Sequence, residues 1–107
     1  MNIDINEIIA EMAGAIKGEV KNDWDVAKNI VNGFLERKKD RLELLTSLRL
    51  ENQISKKDFQ QRLKNEELIL ESELHAIAVI AKVTAQNAAN AAIDVLNKAV
   101  STAISIG

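Results

Sequence analysis

Apolar residues recur every eleven positions in the first half of this chain, and this spacing restricts the fold more than any other feature. Two rows follow it without a gap: Ile9, Val20, Val31 and Leu42; and Ile5, Ile16 and Ala27. A third row begins at Met12 and resumes at Phe34 and Leu45. An eleven-residue repeat has about 3.67 residues per turn, so an α-helix keeps such rows on one side with little supercoiling. The spacing therefore predicts a long helical arm over about residues 4–51.

One segment of this arm is weak. Gly18, Asn22 and Asp23 are poor residues for a helix interior, and Asp23 could cap a new helix that begins at Trp24. A kink or a break near residues 18–23 is left open. Trp24 is interpreted as packing at this kink, rather than as a hot spot for binding.

The composition favours an all-α fold. The 107 residues include no proline, four glycines and 3% aromatic residues. A sheet protein of this size would need more turn residues and more aromatic or β-branched strands. The length fits a single domain over residues 1–107.

Cap residues predict where the helices begin. Ser55 and Asp58 have the spacing of a capping box, and Ile54 and Phe59 have that of a hydrophobic staple. Asp4 is the corresponding cap of the first arm. With a turn at residues 52–55, the pattern predicts a second arm over about residues 56–106 that contains no helix breaker.

A second arm of this length would be about 75 Å long, so it needs a partner along its whole length. The first arm, folded back antiparallel, is the obvious partner, and the prediction is an elongated helical hairpin. Pairing about residue 53 brings the basic residues opposite the acidic ones and the small residues opposite each other. The facing charged runs are Arg37, Lys38, Lys39 and Arg41 against Glu66, Glu67, Glu71 and Glu73.

Small residues in both arms predict close helix packing, because they let two helix axes approach each other. The predicted close-packing residues are Gly14, Gly18, Ala81, Ala85, Ala88, Ala92 and Val95. Since glycine in a helix interior is unfavourable relative to alanine, a packing role for the two glycines is favoured over chance.

The last thirty residues are apolar on more than one face, and a single neighbouring arm cannot cover them. The predicted oligomer face comprises Ile80, Val83, Ile93 and Val100. A second copy of the chain would cover this face and complete a four-helix bundle, most simply as a dimer. Asn87 either specifies the register of this oligomer or completes a polar strip.

The chain has few residues suited to catalysis. It has no cysteine and one histidine, so neither a catalytic triad nor a thiolate site is predicted, and no cofactor is expected. Glu67, Glu71 and His75 could contribute metal ligands, but they lack the Glu-x-x-His pattern of diiron bundles. A surface histidine is the favoured interpretation.

The net charge of −2 does not favour nucleic acid binding. A start without a signal-peptide pattern and the absence of cysteine indicate the cytoplasm. The expectation is a non-catalytic, homo-oligomeric helical scaffold or adaptor, with an unidentified protein partner at the charged end of the hairpin, residues 37–67. Two alternatives remain: a protein that associates with a membrane surface through its apolar end, although Lys82, Asp94 and Lys98 disfavour this, and a metal-binding helical bundle.

Overall fold

The computed structural model describes residues 3–106, which form three helical stretches. The first stretch, residues 5–50, comprises α1 (Ile5–Val20), a 3-10 turn (Lys21–Asp23) and α2 (Trp24–Leu50). The other two are α3 (Lys56–His75) and α4 (Lys82–Ile106). No strand occurs in residues 3–106, which confirms the predicted all-α class.

In the first stretch, α1, the 3-10 turn and α2 follow one another without an intervening loop, but the chain changes direction at the 3-10 turn. The backbone of Lys21 has φ 54° and ψ −118°, far from helical values. Ile3 and Ile5, at the start of α1, therefore line the same groove as Leu50, at the end of α2. A straight helix of this length would measure about 69 Å, whereas the longest axis of the molecule is 42 Å.

The second arm is not one helix, so the prediction of an unbroken helix over residues 56–106 is wrong. α3 ends at His75, residues 76–81 form an irregular connection, and α4 begins at Lys82. The molecule measures 42 × 22 × 21 Å, so the elongated hairpin of about 75 Å is also wrong. Folding back lets α4 bury its wide apolar face within the same chain, and this gain outweighs the helix propensity of residues 76–81.

The four α-helices run in alternating directions around one core. α1 packs against α2 and α4, and α3 also packs against α2 and α4; the contact between α1 and α4 is the most extensive. One end of the molecule, the tip, contains the turn at residues 51–55 and the start of α1. The other end, the hinge end, contains the 3-10 turn and the connection at residues 76–81.

The eleven-residue rows of the sequence form the part of the core that α1 and α2 contribute. All of their members are buried except Ile9, which is half-buried. The rows remain buried although the chain reverses at the 3-10 turn, because α1 and α2 each pack the same apolar stripe against the common core.

Two of the predicted helix caps are confirmed. Asp4 Oδ1 accepts hydrogen bonds from the backbone N–H groups of Asn6 at 3.0 Å and Glu7 at 3.4 Å. Ser55 Oγ accepts one from the N–H of Asp58 at 3.0 Å. Asp23, by contrast, makes no capping hydrogen bond at the start of α2.

Candidate functional site

The alanine-rich face of α4 lies in the interior of the molecule. Ala85, Ala88 and Ala92 are fully buried, and Val95 packs against the core from a half-buried position. This face belongs to the helix that has the most extensive contact with α1. Small side chains on α4 let a neighbouring helix axis come close, which increases the dispersion contacts along it. The structure thus places these residues at close helix contacts within one chain.

Gly14 and Gly18 do not take part in this contact, so the prediction that they face the alanines is wrong. Both glycines are exposed, and no atom of another element lies within 4 Å of the position that a Cβ would occupy. They lie two residues after the buried Met12 and Ile16, which places them on the opposite face of α1. Ala81 is also exposed, in the connection before α4.

An Ala88→Leu substitution tests the packing of α4. The added side chain has no space at a fully buried position, and we expect the free energy of unfolding to fall by about 1–3 kcal/mol. Urea denaturation followed by circular dichroism measures this change. Ala10→Leu, at an exposed position of α1, is the matched control and should change stability by less than about 0.5 kcal/mol. Equal effects of the two substitutions would contradict the packing described.

Most of the predicted oligomer face is covered within the chain itself. Ile80, Ile93 and Val100 are buried in the core, and only Val83 is exposed. The prediction that these four residues form an intermolecular face is therefore wrong for three of them. The extra surface that α4 requires is supplied by α1 and α3 of the same chain.

An ionic cluster joins α2 to α3, which confirms the predicted facing of the basic and acidic runs for Arg37, Lys38 and Arg41 with Glu66 and Glu73. Arg41 Nε donates a hydrogen bond to Glu66 Oε1 at 2.6 Å, and Lys38 Nζ lies 3.2 Å from Glu66 Oε2. Arg37 Nη2 contacts both carboxylate oxygens of Glu73, at 2.8 and 2.7 Å. Together these pairs connect the middle of α2 to the middle and the last turn of α3.

Glu66 is the central residue of this cluster, because its side chain is only 3% exposed. A buried carboxylate is costly unless cations compensate for it, so only a register that brings Lys38 and Arg41 to Glu66 is favourable. The cluster therefore selects one alignment of α2 with α3. The Arg37–Glu73 pair is more exposed and contributes less to stability.

The three candidate metal ligands do not assemble into a site. Glu67 is buried and accepts a hydrogen bond from Lys64 Nζ at 2.6 Å, which raises the pKa of Lys64 above its ordinary value, with a smaller contribution from the charge of Glu67. His75 is exposed at the last position of α3. Within residues 3–106, no three histidine, aspartate or glutamate side chains are grouped so that they could hold a metal ion.

Shallow grooves follow the contact between α3 and α4, and polar residues line most of them. Gln86, Asn87 and Asn90 face Lys64, Glu67 and Glu71 in one groove of about 250 Å³. Asn87 is exposed here, as a member of the polar strip. A larger groove of about 450 Å³ at the tip lies between the start of α1 and the last turns of α2.

Exposed apolar side chains collect at the hinge end. Val79 is 62% exposed and Val83 61% exposed, and Val26 and Ile30 are exposed in the first two turns of α2. We call these four residues the apolar end. Trp24 and Ile77 are half-buried at the same end and pack against the core. Sequence reasoning assigned Val83 to an exposed face but missed Val26, Ile30 and Val79. It placed residues 76–83 inside a continuous helix, although the charge-free run "AIAVIA" over residues 76–81 was an available signal.

The chain shows no match to a protein family, to a characterised protein or to a solved structure. Among the described helices, none combines the length and the apolar character that crossing a membrane requires.

Proposed function

We propose that this protein is a non-catalytic helical scaffold that acts by binding to proteins, in the first place to a second copy of itself. The apolar end is the contact surface. The observation that supports the proposal is the exposure of Val79 and Val83 at the same end of the molecule as Val26 and Ile30. Exposed apolar side chains at one end of a molecule are typical of interaction surfaces, because burying them against a partner is favourable.

The uncharged connection that contains Val79 and precedes Val83 sets the apolar end apart from the other exposed apolar residues. Residues 76–81 carry no charge, and Lys82 is the first charged residue after them. Leu44, Leu68, Ile69 and Ile104 are also exposed, but they are spread over three helices, and scattered exposed apolar residues are ordinary.

A second copy fits this surface for two reasons. The hinge end carries charges of both signs, among them Lys21, Asp25 and Lys82, so a two-fold contact there can pair opposite charges around the apolar residues, although each chain has a net charge of −2. Such a contact also uses the same four residues from each copy, so that an apolar surface packs against an identical apolar surface. The non-catalytic part of the proposal rests on the sequence, which has no cysteine and only one histidine.

The double variant Val79→Asp/Val83→Asp tests the apolar end. Two carboxylates from each copy would have to be desolvated at the contact, and we expect the dissociation constant of the dimer to rise by at least about tenfold. Light scattering coupled to size exclusion, over a range of concentrations, measures the change. Because both side chains are exposed, the helical circular dichroism spectrum should stay unchanged.

Leu68→Asp is the matched control, since it adds a carboxylate to an exposed apolar position on the middle of α3. This variant should assemble like the parent. A parent protein that remains monomeric at all concentrations would contradict the proposal. If the monomer instead bound anionic phospholipid vesicles, and the double variant did not, the apolar end would be a lipid contact.

A further inference from the structure

The turn between α1 and α2 has a strained backbone. Lys21 has φ 54° and ψ −118°, a combination that glycine adopts easily and that residues with a Cβ avoid. Asn52 also has a positive φ, of 58°, but asparagine is among the residues that tolerate it. Strain of this kind persists only where the surrounding structure imposes it.

No side-chain cap supports this turn. Neither Val20 before the 3-10 turn nor Asp23 before α2 makes a capping hydrogen bond from its side chain. The starts of α1 and α3, in contrast, are capped by Asp4 and Ser55. The local support consists of backbone hydrogen bonds, from the N–H of Lys21 to Lys17 O and from the N–H of Trp24 to Lys21 O. The docking of α1 against the rest of the molecule therefore has to hold the strained backbone of the reversal.

The apolar rows of the sequence continue through the turn as if the helix did not end there. Ile16 and Ala27 are eleven residues apart, as are Val20 and Val31, and both steps cross residues 21–23. Between Gly18 and Gly33 there is neither a proline nor a glycine. A single straight helix over residues 5–50 would thus keep the whole apolar stripe on one side.

From these observations we infer that residues 21–23 have a second conformation, in which they join α1 and α2 into one straight helix. Two copies of the chain then exchange α1. The inference rests on the proposed function, because both make a second copy the partner. In the exchanged dimer, α1 of each copy packs against α4 of the other, with the same contacts that it makes within one chain. The core is recovered in full, and the strain at Lys21 is relieved in both copies. Short hinges under strain favour such exchange.

The exchanged dimer also accounts for the apolar end. The straightened helix would extend about 69 Å from one molecule into the other and would leave each through its hinge end. The two hinge ends therefore meet, and the residues of the apolar end, Val26, Ile30, Val79 and Val83, come to the junction between the copies. The strained turn and the exposed valines, which are independent features of the monomer, are explained by one arrangement.

Crosslinking tests the exchange directly. Ile3 and Leu50 line one groove at the tip, and the chain has no cysteine of its own, so Ile3→Cys/Leu50→Cys can be joined with a short bis-maleimide. In an exchanged dimer these two positions belong to different chains, and denaturing gels of the isolated dimer should show a crosslinked species of two chains. Crosslinks within single chains, in a dimer, would overturn the exchange and leave the proposed function intact. A chain that never dimerises would overturn both.

A pair of substitutions at Lys21 provides the second test. Lys21→Gly relieves the strain of the closed turn and disfavours the straight helix, whereas Lys21→Ala leaves the strain and favours the helix. Because each dimer contains two hinges, we expect the glycine variant to have a dissociation constant at least about a hundredfold higher than the alanine variant. Light scattering over a dilution series measures both values. Equal constants, or the reverse order, would overturn the inference.

Discussion

The double variant Lys38→Met/Arg41→Met is expected to lower the free energy of unfolding by about 3 kcal/mol, because it leaves the carboxylate of Glu66 without a cation. The Glu66 side chain is 3% exposed, and both of its cationic partners lie on α2. Methionine retains most of the apolar stem of lysine and arginine, so the loss reports on charge more than on packing. Urea denaturation followed by circular dichroism measures the effect.

Two further variants separate the buried charge from other causes. Adding Glu66→Leu to the double variant removes the uncompensated charge, and most of the lost stability should return, since apolar replacement of a buried ion pair is often neutral or favourable. Arg37→Met removes the more exposed pair with Glu73 and should cost less than about 1 kcal/mol. A triple variant that is no more stable than the double variant would contradict this account of Glu66.

Phe34→Ala should have an effect of similar or greater size, lowering the free energy of unfolding by about 3–5 kcal/mol. Phe34 is fully buried in the middle of α2, and the guanidinium carbon of Arg37 lies 5.9 Å from the centre of its ring. Truncation removes the buried ring and leaves a cavity that the surrounding helices fill only in part. The midpoint of urea denaturation should shift to much lower concentration.

Leu44→Ala is the control for Phe34, because Leu44 lies on the same helix but is exposed. Its truncation should change stability by less than about 0.5 kcal/mol. Since a domain of this size is typically stable by only about 5–15 kcal/mol, the Phe34 variant is expected to be partly unfolded at moderate temperature. Similar midpoints for the two variants would show that Phe34 is not a central core residue.

Patterns that act over a few residues were read correctly from the sequence. The rows through Met12, Ile16 and Val31 identified the buried face of α1 and α2, because a helix repeats its environment at a fixed period. Asp4 and Ser55 were identified as caps because capping chemistry involves only neighbouring residues. The pairing of α2 with α3 followed from complementary charge on two segments joined by a short turn.

The end of α3 and the start of α4 could not be predicted from such local patterns. Residues 76–81 contain alanine, isoleucine and valine only, and nothing in their propensity predicts that a helix stops at His75. The same limitation applied to Gly14 and Gly18, whose low helix propensity was interpreted as a packing device although both are exposed. Val79 was missed for the same reason, since it is exposed on the connection at residues 76–81.

The sequence by itself determined that the chain is helical, which stripe of α1 and α2 is buried, where two helices begin and which charges meet. Each of these follows from interactions between residues close in sequence or across one short turn. Only the tertiary structure decided that α4 folds back between α1 and α3, that its alanines are covered within the chain, and that Val79 and Val83 are exposed. The physical reason is that the hydrophobic effect depends neither on direction nor on separation along the sequence. A helix therefore ends where folding the chain back removes more apolar surface from water than continuing the helix would.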